Sequence, residues 1–248
     1  MPRFPRFPDP PVPRLSDKTV IVTGASRGIG RSAALSLAGE GARVALVSRD
    51  QSALEEVASE VSRAGGQSLV LPFDFANSSS IPSLASSLVD QLGSVNALVN
   101  NAGTFLEQDL AEMTENELRH VLDINLIAPF ALTRELLPAL RETRGQIINV
   151  VSTSALQGYP QQSGYCASKA GLLGMMRALA LEEKPNGVRI HNLCPGGVDT
   201  AFIKGTRLGE RLEGQVMISP DDIGEMISFL LQQSSNVDLS EIAIRRFT

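Results

Sequence analysis

Tyr165 and Lys169 stand four residues apart in the stretch SGYCASKAG, in a chain that has only two tyrosines. On an α-helix that spacing puts both side chains on one face, one turn apart. A phenol titrates near ~10 in water, and a neighbouring ammonium favours the phenolate. The pair therefore has the makings of a group that gives and takes a proton nearer neutral pH. A tyrosine and a lysine at this spacing also make an ordinary solvated face, and the surrounding sequence has to decide between the two.

A second stretch, TVIVTGASRGIGRSAA, reads as strand, glycine turn and helix, with Gly24, Gly28 and Gly30 in a G-x3-G-x-G spacing around Ser26, Arg27 and Ile29. Glycine is required where backbone turns tightly and lies close to a pyrophosphate, and the free N–H groups of the helix start then face the anion. About 20 residues beyond such a turn, an acid normally grips a free ribose, whereas a 2′-phosphate needs positive charge. Here the place reads VALVSRD, with Ser48 where the acid would stand, Arg49 after it, and Arg27 in the turn itself. Two guanidinium groups favour NADP(H) over NAD(H). The competing expectation is that Asp50 neutralises Arg49 in a surface pair.

These groups need a scaffold, and the composition supplies one. Of 248 residues, 43% are hydrophobic and 20% charged, the balance of an ordinary globular protein with a sizeable core. The formal net charge of −5 and the lack of a long basic run give no reason to expect nucleic acid or an anionic membrane as partner. No run of 18 apolar residues and no charged-then-apolar leader is present, so a cytoplasmic location is expected. Cys166 and Cys194 read as free thiols. His120 and His191 are far apart in sequence, so no metal site is expected. Six prolines in the first 13 residues make residues 1–16 an extended or disordered tail, with a single domain over 17–248.

From Thr19 onward, TVIV, ARVALV, SLVLPF, VNALVN, QIINVV and VRIHNL alternate with helical patterns such as QSALEEVASEVSRAG and SIPSLASSLVDQLG. Nearly continuous β-branched runs suit strands covered on both faces, so the expected fold is α/β: a doubly wound parallel sheet, Rossmann-like. TENE, with Thr114 and Glu117 at capping-box spacing, opens a long helix running toward LLPALRETRG. The helix carrying Tyr165 and Lys169 stops at PNG, SPDD starts a last helix, and SEIAIRR a last strand.

TGASRGIG, NNAG at 100–103, Asn125 in DINL, Ser152 in INVVSTS, YCASK and NLCPGGVDT follow one another along the chain. Together they resemble the single-domain branch of the short-chain dehydrogenase/reductases, with 3-oxoacyl-[acyl-carrier-protein] reductase-like members in view, from about Thr19 to the end. The resemblance implies an NADP-dependent oxidoreductase that moves a hydride between the cofactor and a carbonyl or secondary alcohol. It makes Tyr165 the proton donor and acceptor, and Lys169 the group that lowers its pKa and binds the nicotinamide ribose. Ser152 would hold the substrate oxygen and Asn125 a relay water. The resemblance also implies that Asn101, Ala102 and Gly103 lie beneath the adenosine and that Asp74 bonds the adenine. Pro195, Gly196, Val198 and Thr200 would hold the nicotinamide amide. The residues themselves allow blander roles: Ser152 capping a strand end, Asn125 a buried helix polar group, Asp74 a helix cap.

The partners implied are a small-molecule carbonyl or alcohol and further copies of the chain, as homodimer or homotetramer. The segment FIKGTRLGERLEGQVMISP lies where the family keeps a mobile substrate lid. Phe202, Ile203, Leu208 and Met217 either line an apolar pocket facing Leu156 and Tyr159 or serve the lid's own packing. An acyl carrier would require a basic entrance, for which Arg141, Arg144 and Lys184 are the candidates, diluted by Glu142, Glu182 and Glu183. The ending SEIAIRRFT departs from the family's glycine-rich finish. The alternative function is a redox-silent NADP(H) sensor or scaffold, which would be expected to lack the tyrosine or the lysine.

Overall fold

The computed structural model describes residues 14–247. Among them, seven strands form one all-parallel sheet: β1 (Thr19–Thr23), β2 (Arg43–Ser48), β3 (Gln67–Pro72), β4 (Ala97–Asn100), β5 (Gln146–Val150), β6 (Arg189–Pro195) and β7 (Glu241–Ile244). The order across the sheet is β3-β2-β1-β4-β5-β6-β7. The chain winds outward from β1 to β3, then returns to the other side of β1. That reversal opens a crevice beyond the carboxyl ends of β1 and β4, where such sheets bind ligands.

Side-chain alternation assigns each strand residue to one of two layers. Val20, Val22, Val44, Leu46 and Val99 pack with helices α1 (Gly28–Gly39), α2 (Gln51–Arg63) and α8 (Pro220–Leu231). Ile21, Ala45, Val47, Leu98 and Ile147 pack on the other face with α3 (Ile81–Leu92), α5 (Ala128–Thr143) and α6 (Ser163–Glu183). Double coverage is why the strands read as unbroken apolar runs.

The helix opening at TENE is not one α-helix. α4 (Glu115–Leu122) starts with both halves of the expected capping box, Thr114 N–H to Glu117 Oε2 at 2.8 Å and Glu117 N–H to Thr114 Oγ1 at 3.2 Å. A π-helical turn, Asp123–Ile127, separates it from α5. The cause is legible: Pro129 has no N–H, so the α-register bond from residue 129 to the Asn125 carbonyl cannot form, and the register slips.

Most of the expected tail, residues 1–13, lies outside the described residues. At its end Leu15 is buried in the core, and its N–H donates to the Glu40 carbonyl at 2.9 Å, so the folded body begins before residue 17. The buried His191 is satisfied structurally, Nδ1 against Leu239 O at 3.0 Å and Nε2 against Gln146 Oε1 at 3.1 Å. No group of side chains among the described residues could hold a metal ion, and no helix among them is long and apolar enough to cross a membrane.

Candidate active site

The crevice at the carboxyl edge of the sheet is a cleft of about 1000 Å³. At its floor the chain leaves β1 through Gly24, whose φ of +67° only glycine adopts without strain. A Cβ on Gly30 would stand 2.1 Å from the Gly24 carbonyl oxygen, so glycine there lets α1 sit directly on the turn. Arg27 precedes α1 in extended conformation with no side-chain cap, and the first turn carries no acid, leaving the helix's positive end for an anion. Asn101 ties the next strand to this turn, donating from Nδ2 to Thr23 O at 2.9 Å and Gly24 O at 3.2 Å.

Ser26, Arg27, Gly28, Ile29, Ser48, Arg49, Asp74, Asn101, Ala102 and Gly103 line the cleft with Gly24. Ser48 ends β2 with its Oγ buried and without a hydrogen-bond partner among the described residues. Asp50 does not neutralise Arg49: its carboxylate caps α2 by accepting from Ala53 N–H at 3.1 Å. Neither Arg27 nor Arg49 has an ion-pair partner among the described residues. Asp74 both lines the cleft and shapes a local turn, accepting from Ala76 N–H at 3.1 Å.

Tyr165 and Lys169 sit in the first two turns of α6 and face the same cleft, as does Ser152 at the end of β5. Both are nearly buried, and Lys169 Nζ donates to the Val150 carbonyl at 3.0 Å. Burial pushes the Tyr165 phenol well above its ordinary value, against a smaller lowering from the Ser152 hydroxyl. Burial also pushes the Lys169 ammonium down to about 8. Burial, the largest effect on the phenol, disfavours the phenolate and so acts against the lowering expected from Lys169.

Asn125 does not line the cleft. It is fully buried behind Gly103, accepting from Thr104 N–H at 2.8 Å and donating to Thr104 O at 2.9 Å and Ser168 Oγ at 3.0 Å. Ser168 in turn donates to Tyr165 O at 2.7 Å, so the amide fastens the β4–α4 loop to the turn that carries Tyr165. With both amide hydrogens and Oδ1 engaged, this side chain has no donor left to hold a water.

Pro195, Gly196, Val198 and Thr200 line the far side, where Thr200 caps a short helical turn, Ala201–Ile203. Phe202, Ile203, Leu208 and Tyr159 are also in the lining, whereas Leu156 packs into the core and Met217 packs behind, against Gly197. The lid segment forms α7 (Arg207–Leu212), which sequence periodicity did not reveal. Glu107 holds it down, accepting from Leu208 N–H at 2.8 Å and Arg211 Nη2 at 2.7 Å. Phe105 was also missed: its ring meets Tyr165 edge-on at 5.0 Å and Phe202 at 6.0 Å, giving the cleft an aromatic wall. The expected basic entrance is elsewhere. Arg141 is bound by the buried carboxylate of Glu183 at 2.5 and 2.8 Å, and neither it, Arg144 nor Lys184 lines the cleft.

A model of the short chain dehydrogenase family matches residues 18–211. The ketoacyl reductase HetN of Nostoc sp. strain PCC 7120 is 40% identical over 185 residues, 74% of this chain and 64% of HetN, so the match spans just under two thirds of that relative. The 3-oxoacyl-[acyl-carrier-protein] reductase FabG of Staphylococcus epidermidis is 38% identical over 184 residues, 73% of this chain and 75% of FabG. A metagenomic short-chain oxidoreductase solved in complex with NADP superposes with a TM-score of 0.83 at 33% identity, covering 95% of this chain and 99% of the other. Sequence and overall fold agree, and the chain belongs to the short-chain dehydrogenase/reductase family of oxidoreductases.

Proposed function

We propose that the protein interconverts a carbonyl and a secondary alcohol with NADP(H), Tyr165 acting as proton donor in reduction and acceptor in oxidation. The observation that carries this reading is a single cleft with Ser152, Tyr165 and Lys169 at one end and Arg27, Ser48 and Arg49 at the other. The residues present fit the dinucleotide. The glycine turn has no room for a Cβ at Gly30, the α1 start is uncapped, and the Ser48 hydroxyl is an unpartnered buried group. NADP(H), when bound, supplies or takes the hydride. Arg27 and Arg49 hold its 2′-phosphate through charge-assisted hydrogen bonds, and their free guanidinium groups support NADP(H) over NAD(H).

In reduction the Tyr165 hydroxyl gives its proton to the carbonyl oxygen while Ser152 hydrogen-bonds the same oxygen, stabilising the charge that develops there. Lys169 would hold the nicotinamide ribose, and its ammonium would return a proton to the phenolate and regain one from solvent through the relay water. We assign the Asn125 carbonyl, which Pro129 cannot bond, as the acceptor for a relay water. Half-exposed Ile127 and Phe130 and the exposed Leu181, on α5, α6 and the π-turn, support a homodimer or homotetramer. Free thiols at Cys166 and Cys194 support a cytoplasmic location.

The experiment is NADPH oxidation followed at saturating cofactor with acyl thioesters, quinones, aldehydes and ketosteroids, and NADP reduction with the matching alcohols. Turnover of at least one carbonyl class, faster with NADPH than NADH, is expected. Tight cofactor binding with no turnover in either direction would instead make the chain a redox-silent sensor.

A further inference from the structure

The substrate end of the cleft carries positive charge from an unexpected place, the carboxyl end of β7. Arg245 and Arg246 follow Ile244, the last residue of that strand, and both line the cleft. Strand pairing fixes their position: Ile244 is in register with Pro195, and Gly196 N–H donates to Ile244 O at 2.8 Å. A Cβ on Gly196 would lie 3.9 Å from both Arg245 Cα and Thr153 Cγ2. Thr153 adjoins Ser152 and hydrogen-bonds Tyr159 Oη at 3.3 Å. The two arginines therefore belong to the Ser152 side of the cleft, remote in sequence and in place from Arg27 and Arg49.

Their charge is not neutralised. Arg246 Nη1 donates to Gln215 Oε1 at 2.6 Å and approaches Met217 Sδ at 3.8 Å, both neutral groups. Arg245 is exposed and has no ion-pair or hydrogen-bond partner among the described residues. The acids in the cleft lining are Asp50 and Asp74, which adjoin Arg49 and Phe75 at the nucleotide end. Glu107, the carboxylate under the lid, is occupied by Arg211. Phe105 and Phe202 line the same cleft and set their rings against Tyr165, with centres 5.0 and 6.3 Å from its own. Two guanidinium groups without an ion-pair partner among the described residues, in a cleft that Phe105 and Phe202 also line, suit an oxyanion in charge and in hydrogen-bonding capacity.

We propose that Arg245 and Arg246 form an anion subsite, and that the substrate is an apolar carbonyl compound carrying a carboxylate or phosphate away from the reacting carbon. This rests on the reading of the cleft as a carbonyl reductase site. The arginines make the subsite selective: an uncharged analogue forfeits two charge-assisted contacts, and Gln215 holds one guanidinium in place before the substrate arrives.

The test uses the full-length protein with NADPH and three aldehydes: 4-carboxybenzaldehyde, its methyl ester and 4-formylphenyl phosphate. Wild type should prefer a charged aldehyde to the ester by about tenfold in kcat/KM, the size of one modest charged contact. Whether carboxylate or phosphate leads identifies the anion. In R245Q/R246Q the ratio of charged to ester rates should fall toward one, and in R245K/R246K it should be intermediate. Added salt should erode the wild-type ratio. Equal use of charged and neutral aldehydes by wild type, or a preference that survives in R245Q/R246Q, overturns the subsite. Calorimetric titration of the same aldehydes separates this from failure of the reductase reading. With no turnover of any carbonyl, arginine-dependent binding of the charged aldehydes still supports the subsite, and binding insensitive to R245Q/R246Q overturns it.

Discussion

The Lys169 ammonium lies 5.9 Å from the centre of the Tyr165 ring and is anchored on the Val150 carbonyl, so the two groups share one buried corner of the cleft while the lysine is held by main chain. Burial raises the phenol and lowers the ammonium to about 8. In reduction the phenol is then in its donating form throughout the neutral range. The rate should hold from about pH 6 to 7.5 and fall as Lys169 loses its proton near 8. Oxidation needs the phenolate and should rise with pH over the same range. Rates in both directions between pH 6 and 10 check this; a reduction rate flat to pH 10 would remove the need for the Lys169 charge.

The same burial sets a stability cost. An ordinary value of 10.5 against a folded value of about 8 means that the folded state binds fewer protons between those limits. Stability therefore rises with pH from about 8 to 10.5, and below 8 the full cost is carried. That cost is on the order of 3 kcal/mol. Replacing Lys169 with Met removes it but leaves the Val150 carbonyl without its donor, a loss of about 1 kcal/mol. K169M should be inactive yet melt several degrees higher at pH 7, with the gain shrinking at pH 10. A lower Tm at pH 7 would show that the ammonium is stabilised by more than the one bond seen.

Tyr165→Phe removes only the transferable proton from the pocket and keeps the ring against Phe105. A loss on the order of 10²- to 10⁴-fold in kcat is expected, the usual range for a general acid. Single-turnover measurements at saturating NADPH isolate the chemical step, and a variant keeping about a tenth of the wild-type rate would exclude Tyr165 as the donor.

Much of this molecule was readable before its structure. Parallel strands covered on both faces favour β-branched runs, and six strands fall on the six such runs, while the half-exposed β7 falls in SEIAIRR, read as a last strand. The glycine turn and the Tyr165–Lys169 spacing are local signals that place residues in one cleft. What escaped depends on distance in sequence. Glu107 and Arg211 are 104 residues apart, and nothing near either announces the pair. Phe105 acquires its place only when α6 and the lid close around it. Arg245 and Arg246 looked like an anomalous ending because strand pairing with β6 is what aims them at the cleft. The upward push of burial on the Tyr165 phenol escaped because no spacing encodes burial. The π-turn had a signal, Pro129 four residues after Asn125.

The proposed preference for NADP(H) rests on three residues. Among the described residues Arg27 and Arg49 lack ion-pair partners and the Ser48 hydroxyl has no hydrogen-bond partner, so Arg49→Ala should weaken NADPH binding by about tenfold or more and affect NADH much less. Adding Ser48→Asp supplies a carboxylate that accepts from both ribose hydroxyls and repels the phosphate, and should invert the preference. The ratio of kcat/KM for NADPH and NADH in wild type, R49A and S48D/R49A decides. A wild type that prefers NADH would make the arginines surface residues, and an unmoved ratio would place the phosphate elsewhere.

Glu107 is the carboxylate that ties α7 to the β4–α4 loop. Its nearly buried carboxylate accepts the Leu208 N–H, an otherwise unpaired donor in the first turn of α7, and clamps Arg211. Arg211 is half exposed, so solvent weakens that contact, and the backbone bond carries more of the hold. Glu107→Ala removes both and leaves α7, a helix of only six residues, without its anchor to the β4–α4 loop. A short helix so released does not persist alone, because its nucleation cost exceeds what so few bonds return. Since Phe202 and Leu208 belong to this segment and wall the cleft, KM for the carbonyl should rise by about tenfold, equivalent to roughly 1.4 kcal/mol, with a smaller change in kcat. Tryptic cleavage after Lys204 and Arg207 should speed up in parallel, which separates an opened lid from global unfolding. An E107A protein with unchanged KM and unchanged cleavage would show that the aromatic contacts among Phe105, Tyr165 and Phe202 hold the lid without the carboxylate.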